Sequence, residues 1–209
     1  MKNKILFIIF FSLFLSSCSK QTMYNLRQDG ITLVEEEKYE EAIKKLNDSL
    51  ILGDGDITDF QLDILLYKAE CEYRLAHYDK AKELYKVLLT IDKNNKEYEK
   101  LYNASLTYEK LLNAKKALDN NNIDEAEKLL NDVRNSGLEN DKSYLFNEII
   151  LMEKRGLYKE ALSLINKYLI TYPDDNEAIK EKDFIALRTM NIIEPTTQAK
   201  EEETTTKTN

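Results

Sequence analysis

Very few residues in this sequence have side chains suited to catalysis or metal binding. The 209-residue chain contains two cysteines, Cys18 and Cys71, and one histidine, His77. No nucleophile stands at a recognisable spacing from His77, which we interpret as a solvated residue in a turn between two helices. The five glycines form no phosphate-binding loop. No catalytic residue, enzymatic activity or cofactor is therefore expected.

An acidic turn, Asp54-Gly55-Asp56 followed by Asp59, comes nearest to a metal site. An EF-hand loop would need glycine where Asp59 stands and a bidentate glutamate where Leu65 stands. We therefore interpret this segment as a solvated acidic turn and predict no metal site.

The N-terminal segment has the pattern of an export signal. Lys2 and Lys4 precede an apolar run of eleven residues, 5–15. As a helix this run would be about 16 Å long, at ~1.5 Å per residue, whereas a bilayer core is ~30 Å thick. The chain is therefore predicted to be exported. Cleavage at another position and retention as an uncleaved anchor are the alternatives.

The residues that close this segment, Leu15-Ser16-Ser17-Cys18, resemble the lipobox of bacterial lipoproteins. The resemblance implies that residues 1–17 are removed as a signal peptide and that the Cys18 sulfur carries diacylglycerol. The new amine would also be acylated, and two or more chains give stable attachment. Ser19 is compatible with sorting to the outer membrane, facing the periplasm, in a Gram-negative cell. The expected location is therefore the cell envelope.

Charge excludes one class of partner. The formal net charge is −8 and no large basic stripe occurs, whereas nucleic-acid binding relies on clustered Lys and Arg. Nucleic acid is therefore not an expected partner. An acidic body is also repelled by anionic lipid, so attachment to a membrane would depend on the lipid anchor.

A short motif recurs four times along the chain. In each copy an aromatic or branched residue stands three positions before an alanine, as in "YEEA" and "YKEA", and a large residue follows four positions later. The spacings between successive alanines are somewhat longer than the ~34 residues of a tetratricopeptide repeat. The four alanines are Ala42, Ala81, Ala126 and Ala161.

This motif resembles the tetratricopeptide repeat family over roughly residues 23–190. The family has a small residue where the paired helices cross, and Gly30, Ala69 and Ala114 stand twelve residues before their alanines. Ile149 departs from this pattern, so the fourth pair is expected to cross more widely. The resemblance implies an all-α, tetratricopeptide-type α-solenoid of antiparallel helix pairs. The implied segments are repeats at 23–56, 62–95, 107–140 and 142–175 and then a capping helix, which together make an array over 23–193.

Amphipathic spacing around these motifs supports the helical assignment independently of the resemblance. Thr58 and Gln61 have the spacing of a helix capping box. Residues 96–119 contain no helix breaker and are predicted to form one long helix or two shorter ones. Residues 18–22 are predicted to hold the lipidated cysteine and a short linker, whose last four residues reach at most ~14 Å. The tail at 194–209 has almost nothing to bury and is predicted to be disordered.

The remaining candidate site is a surface. In tetratricopeptide arrays the first helices of successive repeats line a concave groove that accepts peptides or partner proteins. Tyr and Arg are common at binding hot spots, but the same residues could simply complete packing between repeats. The groove positions implied by the resemblance are Tyr24, Arg27, Ile31, Val34, Asp63, Leu66, Glu70, Tyr73, Arg74, Tyr108, Leu111, Lys115, Phe146 and Ile150.

The sequence thus predicts a membrane-tethered scaffold that binds a peptide or a membrane-associated protein, with a role in envelope or outer-membrane assembly. A ligand-binding envelope lipoprotein and a self-assembling structural lipoprotein are the alternatives.

Cys71 lies in a predicted helix beside Ala69 and is expected to be a free, packed thiol.

Overall fold

The structure is a computed structural model that describes the backbone of residues 2–53 and 58–205 and the side chains of residues 19–53 and 58–190. The described residues contain α-helices and no β-strand, which confirms the all-α prediction. The helices are α1 (Lys2–Glu35), α2 (Tyr39–Ile51), α3 (Asp59–Arg74), α4 (Tyr78–Ile91), α5 (Lys96–Asp119), α6 (Ile123–Arg134), α7 (Lys142–Lys154), α8 (Tyr158–Thr171) and α9 (Asn176–Thr205). In this part of the chain no helix is both long enough and apolar enough to span a bilayer.

Consecutive helices pack against each other, α1 on α2, α3 on α4 and α7 on α8. The chain divides into two compact units, residues 1–109 and 110–209, and the boundary falls within α5. Residues 96–119 form a single helix, which answers the question that the sequence left open. Each of the four motif alanines lies in the first turn of a second helix.

The close crossing of α1 and α2 in the first unit depends on Gly30. A Cβ atom added at Gly30 would lie 2.8 Å from Cγ and Cδ2 of Leu46. Leu46 and Ala42 are completely buried, so the leucine could move aside only by disturbing its neighbours in a close-packed core. In the same unit, Ala69 of α3 packs in a core cluster with Ala81 of α4.

In the fourth helix pair, which lies in the second unit, a larger residue stands at the position of Gly30 and Ala69. Ile149 of α7 is buried in one cluster with Ala161 and Ile165 of α8. Ala178 and Ile185 of α9 complete this cluster. A branched side chain therefore fills the place at which the other pairs carry glycine or alanine. The wider crossing expected there stays a prediction.

One backbone turn closes all four helix pairs. In each turn a single residue with positive φ lies two positions before the second helix begins. In the second pair, the amide of Ala76 donates to the carbonyl of Tyr73 at 3.0 Å, and the amide of His77 donates to Glu72 at 2.9 Å. The same two hydrogen bonds recur in the other three turns. The residues with positive φ are Glu37 (+59°), Ala76 (+58°), Asn121 (+57°) and Gly156 (+72°).

Helix α3 begins at the predicted capping box. The side chain of Gln61 accepts a hydrogen bond from the backbone amide of Thr58 at 3.1 Å, and the reciprocal half of the box is also present. This confirms the helix start read from Thr58 and Gln61. The acidic turn at 54–57 lies outside the described residues.

Two predicted irregular segments are helical instead. Residues 18–22, predicted as a linker, lie within α1. Residues 194–205, predicted as the start of a disordered tail, continue α9. Most residues at 197–203 are Gln, Ala, Lys or Glu, which are strong helix formers and favour continuation even without a core. Residues 206–209 lie outside the described part.

A hydrogen-bonded carboxylate holds the start of α9. Asp175 accepts from the Tyr168 hydroxyl at 2.6 Å and pairs with Lys142 at 3.0 Å. It also accepts from the backbone amides of Glu177 and Ala178 at 3.2 Å. The hydrogen bond from Tyr168, followed by that from Lys142, lowers the pKa of Asp175 to about 2. Asp175 therefore joins the starts of α7 and α9 to the end of α8.

The turn residues predict a reciprocal pair of stability changes. Left-handed backbone costs an alanine roughly 1–2 kcal/mol, a cost that glycine does not carry. Ala76→Gly should therefore raise the free energy of unfolding by up to about 1 kcal/mol, and Gly156→Ala should lower it by about 1 kcal/mol. A Cβ at Gly156 would meet only Tyr158, at 3.9 Å, so strain and not crowding is tested. Urea denaturation followed by circular dichroism measures both; a loss of stability in Ala76→Gly would contradict the interpretation.

Asp175 predicts a dependence on pH. Because its folded pKa lies below its ordinary value near 4, its carboxylate stabilises the folded chain above about pH 4. This contribution, about 1 kcal/mol after allowance for solvent screening, should be lost as the pH falls from about 4 to about 2. Unfolding midpoints measured across this range should fall less steeply for Asp175→Asn than for the wild type. Equal slopes would show that the carboxylate is not stabilised by its partners.

Candidate functional site

The first unit carries a small polar and aromatic cluster between α1 and α3, which we call the Arg27 cluster. Arg27 Nε donates to Asp63 Oδ2 at 2.6 Å. The Arg27 guanidinium also lies 5.7 Å from the centre of the Phe60 ring. Tyr24, which is 52% exposed, meets the same ring edge-on at 4.6 Å. Tyr24, Arg27, Phe60 and Asp63 therefore form one partly exposed contact surface.

A second group in this unit consists of three tyrosines, one from each of α3, α4 and α5, which we call the tyrosine cluster. The ring centres of Tyr73 and Tyr78 lie 5.3 Å apart, and the Tyr78 and Tyr108 rings stack at 5.3 Å. Tyr73 and Tyr108 meet edge-on at 5.9 Å. All three side chains are half-buried. Each ring is therefore held by the other two while part of its surface faces solvent.

An ion pair fixes α4 to α5 near the tyrosine cluster. Lys82 Nζ lies 2.7 Å from Glu109 Oε2, and both side chains are largely buried. The hydrogen bond to Glu109 raises the pKa of Lys82, which keeps the Lys82 ammonium charged at neutral pH. Arg74 and Glu70 pair more loosely at the surface, at 3.5 Å. Geometry in this region is thus set by side chains from three consecutive helices.

The predicted groove residues differ in how deeply their side chains are buried. Ile31 and Leu111 are 8% and 3% exposed, so their prediction as contact residues is wrong in this structure. Those that are half-buried or exposed in the first unit are Tyr24, Arg27, Val34, Asp63, Leu66, Glu70, Tyr73, Arg74 and Tyr108.

The predicted residues of the second unit form no comparable cluster among themselves. Phe146 packs 5.7 Å from the ring of Tyr168 at the edge of the core, a contact within the fourth helix pair and not between repeats. Lys115 is exposed and pairs with Asp119 at 3.3 Å. Ile150 is half-buried.

Sequence reasoning missed two residues of the first unit's surface. Tyr78 was identified only as a motif residue before Ala81, although it stacks on Tyr108. Phe60 lies inside the capping box at the start of α3, where its contact with Tyr24 depends on how α1 and α3 meet. The repeat motif could have indicated Tyr78, because its aromatic residue, three positions before the motif alanine, begins the second helix directly after the turn.

His77 is more than a solvated turn residue. Its Nδ1 lies 2.8 Å from a carboxylate oxygen of Glu72, whose side chain is only 7% exposed. Lys80 approaches the same carboxylate at 3.8 Å. These groups adjoin an open cavity of about 470 Å³ that Lys68, Lys82 and other residues of α3 and α4 line. Acidic and basic side chains balance in this lining, so no ligand of one charge is favoured.

The described residues offer no cluster of His, Cys, Asp and Glu that could hold a metal ion. Cys71 is a free, buried thiol, as predicted. Its burial raises its pKa to about 11, which keeps it protonated at neutral pH and unsuited to nucleophilic chemistry.

The His77–Glu72 pair predicts a selective effect on stability. His77→Ala leaves a buried carboxylate with Lys80 as its remaining ionic partner and should lower the free energy of unfolding by about 1–3 kcal/mol. Lys80→Ala is the control, because the Lys80 side chain is 58% exposed and should contribute less than about 1 kcal/mol. Chemical denaturation measures both variants. Equal losses would show that His77 has no special role in satisfying Glu72.

No known protein-family profile matches the sequence, and no curated protein matches it. Among solved structures, a mutant form of MamA aligns with 87% of this chain and 92% of its own chain, at 17% sequence identity and a TM-score of 0.40. The helix pairs and the repeated turn described above, and not this distant likeness, define the fold of the chain.

Proposed function

We propose that this protein is a scaffold that binds a peptide or a partner protein, and that the first unit makes the principal contact. The observation that carries the proposal is the tyrosine cluster, in which three helices hold Tyr73, Tyr78 and Tyr108 against one another. Aromatic side chains held in this way lose little conformational freedom on binding and offer apolar area together with a polar hydroxyl. The Arg27 cluster adds a charged and aromatic contact of the kind enriched at hot spots.

The proposed scaffold is tethered to a membrane. The N-terminal sequence, with the lipobox-like Leu15-Ser16-Ser17-Cys18, supports lipidation of Cys18 after removal of residues 1–17. Lipid attachment would confine the scaffold near a membrane-associated partner and raise the local concentration of each for the other. Ser19 is compatible with sorting to the outer membrane of a Gram-negative envelope, and envelope assembly is the proposed setting.

A photo-crosslinking experiment in intact cells tests this proposal. A photoreactive residue replaces Tyr73 in the full chain, and the matched control carries it at Lys86, an exposed position of α4 in the same unit. We expect Tyr73 to give a discrete adduct with one envelope protein and Lys86 to give none. Diffuse or identical products from both positions would contradict binding at the tyrosine cluster.

Once the partner is identified, substitution measures how much the tyrosine cluster contributes. Tyr78→Ala removes a ring that contacts both other tyrosines and should weaken binding at least about tenfold, as truncation at a hot spot does. Tyr158→Ala is the control, because Tyr158 occupies the same motif position in the second unit, where it packs on the core. If both variants bind equally well, the cluster is not the contact surface.

A further inference from the structure

The last helix has an outer face that no described side chain of the second unit covers. Residues 176, 180, 183, 187 and 190 follow the alternating four- and three-residue spacing of a coiled-coil seam, and all five are exposed. We call this line the outer seam of α9. On the opposite side of the helix, Ala178 and Ile185 are completely buried in the core of the unit. The seam therefore points away from the protein's own core.

The outer seam is apolar at its C-terminal end. Leu187 and Met190 are 64% and 62% exposed, and Ile179 and Phe184 flank the seam at 40% and 41%. A terminal repeat of a solenoid needs a polar outer face to stay soluble, so α9 lacks the surface expected of the capping helix that the sequence predicted. A grouped apolar face of this kind marks an interaction site more often than an isolated exposed side chain does.

The two charged residues in the middle of the seam indicate what covers it. Lys180 and Asp183 form no ion pair with any residue whose side chain is described, although each lies on the seam. In a parallel helix pair they would face their own copies, lysine against lysine and aspartate against aspartate. In an antiparallel pair about a two-fold axis between residues 181 and 182, each Lys180 instead faces Asp183 of the second copy. The two copies thus form two identical Lys180–Asp183 ion pairs through the same surface, as an isologous interface requires.

We propose that the outer seam of α9 is a self-association surface on which a second copy of the chain docks antiparallel. In this register Leu187 lies against Asn176 of the second copy. Met190 lies over the turn that contains Pro173, which is exposed. The two charge pairs fix direction and register, while burial of Leu187 and Met190 drives association. This surface is independent of the tyrosine cluster, so its test is independent of the proposed partner binding.

Sedimentation equilibrium of the full chain in a non-ionic detergent tests this proposal. We expect a concentration-dependent dimer whose Kd rises about tenfold or more in Leu187→Glu, because a charge replaces the apolar contact. Ile51→Glu is the matched control, since Ile51 is 78% exposed and lies on α2 in the first unit, which contributes no residue to the proposed seam. Circular dichroism confirms that both variants keep their helix content.

A charge swap tests the register. Lys180→Asp and Asp183→Lys each place like charges opposite one another and should each raise Kd about tenfold. The double variant restores opposite charges and should return Kd to within about threefold of the wild type. A monomeric wild type, a dimer that none of these substitutions weakens, or a double variant weaker than both single variants would each overturn the proposal. Association only with a different protein would assign the seam to that protein.

Discussion

The helix pairs depend on the direction in which the chain returns after each first helix, and one residue with left-handed backbone sets that direction. Glu37, Ala76, Asn121 and Gly156 occupy this position with φ between +57° and +72°. The hydrogen bonds of the turn use the carbonyls that end the first helix, so the second helix begins at a fixed distance from it. Only then can Ala69 of α3 and Ala81 of α4 pack in one core cluster. Three of these four positions are not glycine, so packing between the helices must offset a local backbone cost.

That arrangement explains why the pairs tolerate glycine, alanine or isoleucine at the crossing. Gly30 leaves no space for even a methyl group beside Leu46, whereas Ile149 fills the corresponding place in the second unit and is itself buried. The turn fixes where the helices come together, and the side chains then decide how the space between them is filled. Repeats built this way can diverge in sequence while their backbone hydrogen bonds stay the same.

The sequence predicted the helix pairs well because their evidence is local. The motif around each alanine, the capping box at Thr58 and the lack of a breaker in residues 96–119 each concern residues close together in the sequence. The contact surface was harder to predict. Ile31 and Leu111 are buried and Phe60 was missed, because the exposure of a residue at the edge of a helix face depends on how neighbouring helices meet. The segments at 18–22 and 194–205 were predicted to be irregular but are helical. In both, the prediction gave polar composition more weight than helix propensity.

Burial of Cys71 has a practical consequence for the chemistry of the whole chain. Its thiol is inaccessible, and burial raises its pKa to about 11, so the folded protein offers an alkylating reagent almost no thiolate at this position. The sequence contains only one other cysteine, Cys18. Rapid alkylation of the native protein would therefore report the chemical state of Cys18 alone. A thioether there would leave the folded chain unreactive, and only denaturation would then reveal a single thiol.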